Sequence, residues 1–418
     1  MIDGGPRNVY RPHLRPRIEK IRKIRKLGKD DALPVNVLMI SHVDDDHIQG
    51  ILELTKEEVT AMQDQKPRLI GVHSFWHNSF SKLIGHEPEE LTAAFKSHFG
   101  PAAMAGGGEL PEAARAEIED NTAETDMEAV AGSLKVLASI DQGFRLRGDA
   151  EVLDYPRNPE FDGGLVMARA GSEPVRVAKG LAFTVVGPAQ AELAALHKKH
   201  QDWLVDLKSQ GKSPPQALAA YVDKSVPNLA SIVVLAEAGG KSMLLTGDAR
   251  GDKVLAGLQL VGLLDAGDQS TLSVDLLKVP HHGSANNLDD DFFRRVIARH
   301  YVFSGNGEHG NPEREALEML LAARGDADYE IHLTYPAGDV DAERKKDWEK
   351  ERNKELARKE KNPNAGVRAK WSPKKHGLKA LFDANPKFAG KLRIVEADTP
   401  HIIDLGESLK AAWPELLA

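Results

Sequence analysis

The chain contains no cysteine. That excludes disulfide scaffolds, thiolate zinc fingers, iron–sulfur clusters and cysteine nucleophiles, and leaves His, Asp, Glu and Asn to hold any metal. Long apolar runs are also missing, and no stretch approaches the about 20 residues that cross a bilayer as a helix, so no membrane partner is expected. The first residues, MIDGGPRNVYRPHLRPR, lack the apolar core of a secretory signal, which makes the cytoplasm the expected compartment. Strong net charge is absent too. Lys and Arg number 55 against 63 Asp and Glu, a balance of −8, which argues against wholesale coating of nucleic acid but permits local basic patches. What is present is length: 418 residues, 41% hydrophobic, suffice for a substantial core.

Organisation along the chain follows from spacing. Ile2-Asp3-Gly4-Gly5-Pro6 reads as the end of a strand breaking into a turn. From Val9 to Lys29 the chain is rich in Arg and Lys, with Ile18, Ile21, Ile24 and Leu27 at helical intervals. Val35-Asn36-Val37-Leu38-Met39-Ile40 suits one buried strand. Residues 87–138 and 189–221 read as helical insertions. Strands are predicted over 181–186, 231–237 and 242–246, the last two joined by a Gly239-Gly240 turn. Further strands are predicted over 275–279, 302–303 and 329–335, with a helix over 312–323. Composition then shifts. Residues 341–375 carry more Lys and Arg than Asp and Glu and include Trp348 and Trp371. The plain expectation there is a solvated, partly disordered appendage. The functional one is a basic arm that meets phosphate backbones. Residues 391–395 and 401–405 read as a closing hairpin, followed by a C-terminal helix packed on the core.

The informative segment is Ser41-His42-Val43-Asp44-Asp45-Asp46-His47, directly after the buried strand. Packed carboxylates raise one another's pKa unless cations neutralise them. Imidazole with hard carboxylates suits Zn, Mn or Fe rather than Ca. Two further pieces follow predicted strands in the same way, Leu244-Leu245-Thr246-Gly247-Asp248 and Leu277-Lys278-Val279-Pro280-His281-His282-Gly283-Ser284. Asn228 stands just before the strand expected to pair with the one that leads to Asp248.

These segments resemble those of metallo-β-lactamase-fold hydrolases, in particular the branch related to the C-terminal domain of the competence protein ComEC, with its patterns S-H-x-D-x-D-H, L-L-T-G-D-A and L-K-V-x-H-H-G-S. The motifs span residues 41–284. The resemblance implies an α/β fold, a four-layered αββα sandwich over 1–336. The expected layout is then one large domain over 1–336 carrying the helical insertions, a basic appendage over 337–390, and the closing hairpin and helix over 391–418. The resemblance also implies two divalent metal ions, Zn or Mn, with Mg as a further option. His42 and Asp44 would hold the first, Asp46 and His47 the second, with Asp248 bridging and His282, or less favourably its neighbour His281, completing the second site. Asn228 falls where the family usually has another histidine for the first metal. Two oxygen ligands, Asp44 and Asn228, make that site harder and favour Mn²⁺ or Mg²⁺ there. A hydroxide held between the ions would be the nucleophile. Asp46 and His309 are the candidate catalytic residues, His309 from the loop Ser304–Pro312 either contacting a substrate phosphate or protonating a leaving group. Lys278, Ser284 and His281 are the candidate substrate-binding residues. His73 and His77 stand at i, i+4, one face of any helix there, and are expected to pack or to support ligands. His300, His332, His376 and His401 show no companion carboxylate cluster and are expected to be surface or core residues.

Within that family the expected reaction is hydrolysis, foremost of a phosphodiester as in a nuclease, with nucleic acid meeting the basic segments 11–29 and 341–375. A protein of different class, a regulatory or scaffold subunit with a degenerate metal site and little turnover, is the alternative. Family members usually have a strand pair ahead of the Ile-Asp-Gly-Gly segment. Here the sequence begins inside that segment, and the expectation is either a truncated N-terminus or an open sheet edge met by a second copy or a protein partner.

Overall fold

In the computed structural model the run 35–40 is divided between two three-residue strands, β1 (Leu33–Val35) and β2 (Leu38–Ile40), rather than forming one. The model describes residues 1–78, 142–194, 230–267, 269–394 and 400–406. Asn228, the whole of the expected insertion at 87–138 and most of that at 189–221 lie outside the described residues. The fold is mixed α/β, and the described residues group into two compact units. One comprises those of 1–167 and 188–232, the other those of 168–187 and 233–409.

In the first unit β1 pairs in parallel with β3 (Ile70–Val72), and β2 with β4 (Phe75–His77). All three side chains of β2 are buried, as are those of β4, which fits an apolar run covered on both faces. His73 and His77 therefore sit in and beside a strand, not on a helix face; His73 is exposed and His77 buried. Helix α1 (Arg15–Ile24) buries Ile18 against this core, while α2 (Asp45–Gln63) buries Ile48, Ile51, Leu52 and Leu54. The N-terminal segment behaves as its sequence suggests, pairing Ile2 with Met39 before turning. It crosses α2 backbone to backbone: the Gly4 amide donates to the His47 carbonyl at 2.7 Å and the Gly50 amide to the Gly5 carbonyl at 3.1 Å. A β-carbon at Gly50 would run into the Gly4 carbonyl oxygen, so only glycine allows this approach.

The second unit is built on one eight-stranded sheet in the order β12-β11-β10-β9-β8-β7-β6-β5. β5 (Val175–Ala178), β6 (Leu181–Gly187), β7 (Val233–Ala238) and β8 (Lys241–Leu245) form an antiparallel meander. The predicted Gly239-Gly240 turn joins β7 to β8, both glycines taking positive φ as a two-residue hairpin requires. From β8 onward the sheet is parallel through β9 (Leu272–Lys278), β10 (Val296–Phe303), β11 (Glu330–Leu333) and β12 (Leu392–Ile394). Parallel neighbours need crossovers. Helix α3 (Gly251–Leu260), the short helix Asp290–Arg295 and α4 (Arg314–Arg324) supply the first three.

The last crossover changes the expected picture of the C-terminal region. Residues 391–405 do not close as a hairpin: β12 runs parallel to β11, and residues 401–406 form no strand. The connection between them opens with α5 (Ala337–Lys361), and six side chains of 337–390 (Ala337, Val340, Leu378, Leu381, Phe382 and Phe388) belong to the core of the second unit. That segment, read from composition as an appendage, is thus the crossover of the final βαβ step. The Trp348 ring stacks on His376 at 4.3 Å, and Trp371 lies 5.9 Å from Trp348. Arg344 and Arg368 lie over these indoles. The two aromatics of the basic stretch are therefore packed within it.

Gly50→Ala should lower stability by about 2 kcal/mol or more, because backbone rather than a flexible side chain must move. Gly71→Ala, where an added β-carbon meets only Ala32 at 3.6 Å, should leave the thermal midpoint nearly unchanged. Thermal denaturation of the two variants distinguishes the cases.

Candidate metal centre

Strand β2 delivers the chain into Ser41-His42-Val43-Asp44, after which α2 starts at Asp45. Part of the carboxylate run has a local explanation, since Asp45 and Asp46 lie in the first turn of α2, where negative charge complements the helix dipole. Asp45 is further engaged, accepting from the Gln49 and Gln142 side-chain amides and lying 3.8 Å from Arg7. The remaining four side chains form two pairs. His42 Nε2 lies 3.7 Å from Asp44 Oδ2, and His47 Nε2 lies 3.8 Å from Asp46 Oδ2. Both separations exceed a hydrogen bond. They match the span of two donor atoms each about 2.0–2.2 Å from a shared cation. The two rings are 4.0 Å apart, centroid to centroid, and both histidines are buried.

Asp3, which the sequence reading passes over as part of a turn, orients this set. Its Oδ1 accepts the Ser41 amide at 2.7 Å, and its Oδ2 accepts from Ser41 Oγ at 2.7 Å and faces His47 Nδ1 at 2.8 Å. Burial pushes the Asp3 carboxyl up, but His47 and the Ser41 donors together outweigh it and hold the group below the ordinary carboxylate range. With Nδ1–H committed to Asp3, the His47 ring presents Nε2 as its lone-pair nitrogen. A carboxylate behind a coordinating imidazole is the usual support of a metal-binding histidine. The donor set fits a borderline or hard divalent cation. His77 is buried, and among the described residues its Nε2 has no hydrogen-bond partner; burial lowers its pKa to about 4, with Arg157 and Arg147 adding to the effect.

In the second unit, Asp248 follows β8 through Thr246-Gly247 and is buried. Its Oδ2 lies 3.4 Å from His282 Nε2 and 3.7 Å from His281 Nε2. His282 Nδ1 is 2.9 Å from Ser304 Oγ, and His281 Nδ1 is 3.0 Å from Asn287 Oδ1, so each ring turns Nε2 toward the carboxylate. His282 is the nearer of the two. Both take positive φ, 46° and 54°, a strained region for side-chain-bearing residues that the following Gly283 does not relieve. Lys278, expected to reach substrate, donates to the Gly247 carbonyl at 2.6 Å and lies 3.2 Å from Asp248 Oδ1. It compensates the buried Asp248 charge. Ser284 is buried beside the turn. His309 is exposed in the turn Glu308–Gly310.

Three histidines expected to be isolated do have company. His300, His332 and His401 lie side by side with Glu330 in the second unit. Parallel strand register, which no local pattern reveals, brings them together.

No family model matches the chain. Over 136 residues, 32% of this chain, it is 32% identical to microtubule-associated protein 1A of Rattus norvegicus, of which that stretch is 5%. Over 70 residues, 16% of this chain, it is 43% identical to microtubule-associated protein futsch of Drosophila melanogaster, covering 1% of that protein. A weaker similarity, 28% over 106 residues and 23% of this chain, relates it to ComE operon protein 3 of Bacillus subtilis (strain 168), covering 12% of it. The chain therefore spans only a small part of the length of each of these relatives.

Asp3→Asn should weaken divalent-metal binding about 10-fold or more, the usual effect of losing a carboxylate behind a coordinating imidazole. Asp45→Asn, at a side chain already held by Arg7, Gln49 and Gln142, should leave affinity within about twofold. Competition with a chromogenic chelator measures both, and equal affinities for the two variants would refute the role given to Asp3.

Proposed function

We propose that the chain is a metal-dependent hydrolase of the metallo-β-lactamase fold, a four-layered αββα sandwich, acting on phosphodiesters. The observation that carries this reading is the loop after β2, where His42/Asp44 and His47/Asp46 form two donor pairs and Asp3 fixes the tautomer of His47. The partial similarity to ComE operon protein 3 supports it. So does the second donor set, Asp248 with His282. In the family that the motifs resemble, the corresponding residues belong to one binuclear centre.

Bound there, divalent ions would supply Lewis acidity and a water of lowered pKa. The chain's own residues perform the rest. Asp3 and Ser304 hold His47 and His282 through Nδ1, so that Nε2 is the donor nitrogen in each. Lys278 offsets the charge of Asp248 on one oxygen, which leaves Oδ2 toward the imidazoles. His309, exposed on its turn, is the group proposed to give a proton to a departing alkoxide. Nucleic acid is the proposed substrate class. Its docking would have to rely on cations rather than stacking at 341–375, because Trp348 and Trp371 are packed against His376. On the basic segment 11–29, Arg15 is paired with Glu19 and Glu57, and Arg22 is bonded to backbone carbonyls.

A second reading, a scaffold or regulatory subunit with little turnover, is favoured by a separate observation. Similarities stronger than that to ComE operon protein 3 are to proteins named as microtubule-associated. The two readings part in one experiment. The hydrolase should cleave a chromogenic bis-phosphodiester, single- or double-stranded DNA, or RNA with Mn²⁺ or Zn²⁺, and Asp46→Ala/His47→Ala should lose at least about 100-fold of that rate, as expected when metal ligands are removed. Equal behaviour of wild type and double variant across Zn²⁺, Mn²⁺ and Mg²⁺ would leave the scaffold reading in possession.

A further inference from the structure

We propose a further metal site in the second unit, formed by His300, Glu330 and His332, that takes a first-row divalent cation of the zinc class. It is independent of the motif residues. Strand register assembles it: His300 of β10 stands opposite Glu330 of β11, and His332 opposite Val302, which places both histidines and the glutamate on one face of the sheet. The alternate residues Tyr301, Phe303, Ile331 and Leu333 fill the core on the other face.

The three candidate donor atoms form a triangle. His300 Nδ1 lies 3.0 Å from His332 Nε2 and 3.2 Å from Glu330 Oε2, and His332 Nε2 lies 3.5 Å from that same oxygen. Ligands of a tetrahedral cation with bonds of about 2.0–2.1 Å are separated by about 3.3–3.4 Å. The observed edges bracket that value, so shifts of a few tenths of an ångström would seat the ion.

The surroundings hold these atoms in place. Arg393, opposite His332 on β12, donates Nε and Nη2 to Glu330 Oε1 at 3.0 and 2.7 Å, which leaves Oε2 facing the imidazoles. His332 Nδ1 is 2.9 Å from His401 Nε2, so the ring is fixed through the nitrogen that would not coordinate. Both His300 and His332 are buried, yet a cavity of about 400 Å³, lined also by His401 and Asp404, opens beside them. Three protein ligands with a fourth position toward a cavity leave room for a water or a small ligand. Two buried imidazoles and a carboxylate with nitrogen and oxygen donors suit Zn²⁺ better than Mg²⁺ or Ca²⁺, which prefer oxygen alone.

Zn²⁺ titration of the metal-free full chain, in competition with a chromogenic chelator, tests the site. One equivalent should be lost, or weakened at least 10-fold, in both His300→Gln and Glu330→Gln, and retained in Asp46→Ala/His47→Ala. That retention separates this inference from the hydrolase reading. Co²⁺ in place of Zn²⁺ should give the visible absorption of a tetrahedral ion, and Glu330→Gln should abolish it. Glu330→Gln is nearly isosteric and half-buried, so circular dichroism should report a native fold even where the histidine variants are destabilised. His401→Gln should weaken the equivalent less than loss of a ligand does. Zn²⁺ affinity and stoichiometry unchanged in both His300→Gln and Glu330→Gln would overturn the proposal and reduce the three imidazoles to a hydrogen-bonded stack.

Discussion

The Asp3 carboxylate is the constraint on which the first unit's polar loop depends. A buried, ionised carboxylate left unpaired costs several kcal/mol, on the order of the stability of a whole domain. Here the Ser41 amide, the Ser41 hydroxyl and His47 Nδ1 all converge on it. That convergence requires the N-terminal segment to lie against the start of α2, which the absence of side chains at Gly4 and Gly50 permits. Ser41 in turn gives its carbonyl to the Ile232 amide, so the same residue anchors a distant part of the chain in that unit. Backbone approach, carboxylate placement and imidazole orientation are thus one arrangement rather than three.

A common device recurs wherever imidazoles gather. His47 is held through Nδ1 by a carboxylate, His282 by a hydroxyl, His281 by an amide oxygen and His332 by another imidazole. Each contact fixes a ring orientation and points Nε2 at a carboxylate oxygen, whereas His300 turns its Nδ1 to Glu330. The local backbone is shaped to the same end. His281 and His282 both adopt left-handed conformations, and a β-carbon at Gly283 would press on Phe303, so this turn has little freedom to be rebuilt from ordinary residues.

Much of this was legible in the sequence where the signal is local. The apolar run ending at Ile40, the Gly239-Gly240 hairpin and the polar residues after β8 and β9 announce strand ends carrying chemistry, because a strand, its turn and its first polar residues are contiguous. Non-local relations were not. The split of 35–40 into β1 and β2 arises because each half pairs with a different strand, β3 or β4. The C-terminal region looked like a hairpin because two short apolar stretches lay close in sequence, whereas β12 finds its partner β11 across a long crossover. Composition alone made 337–390 look solvated, since its few apolar residues are spaced over many charged ones; those few enter the core. Asp3 was invisible as a functional residue because its partners Ser41 and His47 are remote in sequence, and although Glu330 and His332 stand two apart on one strand, only the register with β10 adds His300.

The long connection between β11 and β12 also has a kinetic side. Every other adjacent pair in the parallel part of the sheet is closed by a shorter stretch of chain, and closure entropy and low contact order both favour those pairs forming first. Strand β12 is short, lies at the sheet edge and has mostly exposed side chains, so little holds it until residues 337–390 have packed. It and the 400–406 segment beyond it form a natural unit of local opening, able to exchange its amide protons while the centre of the sheet stays closed.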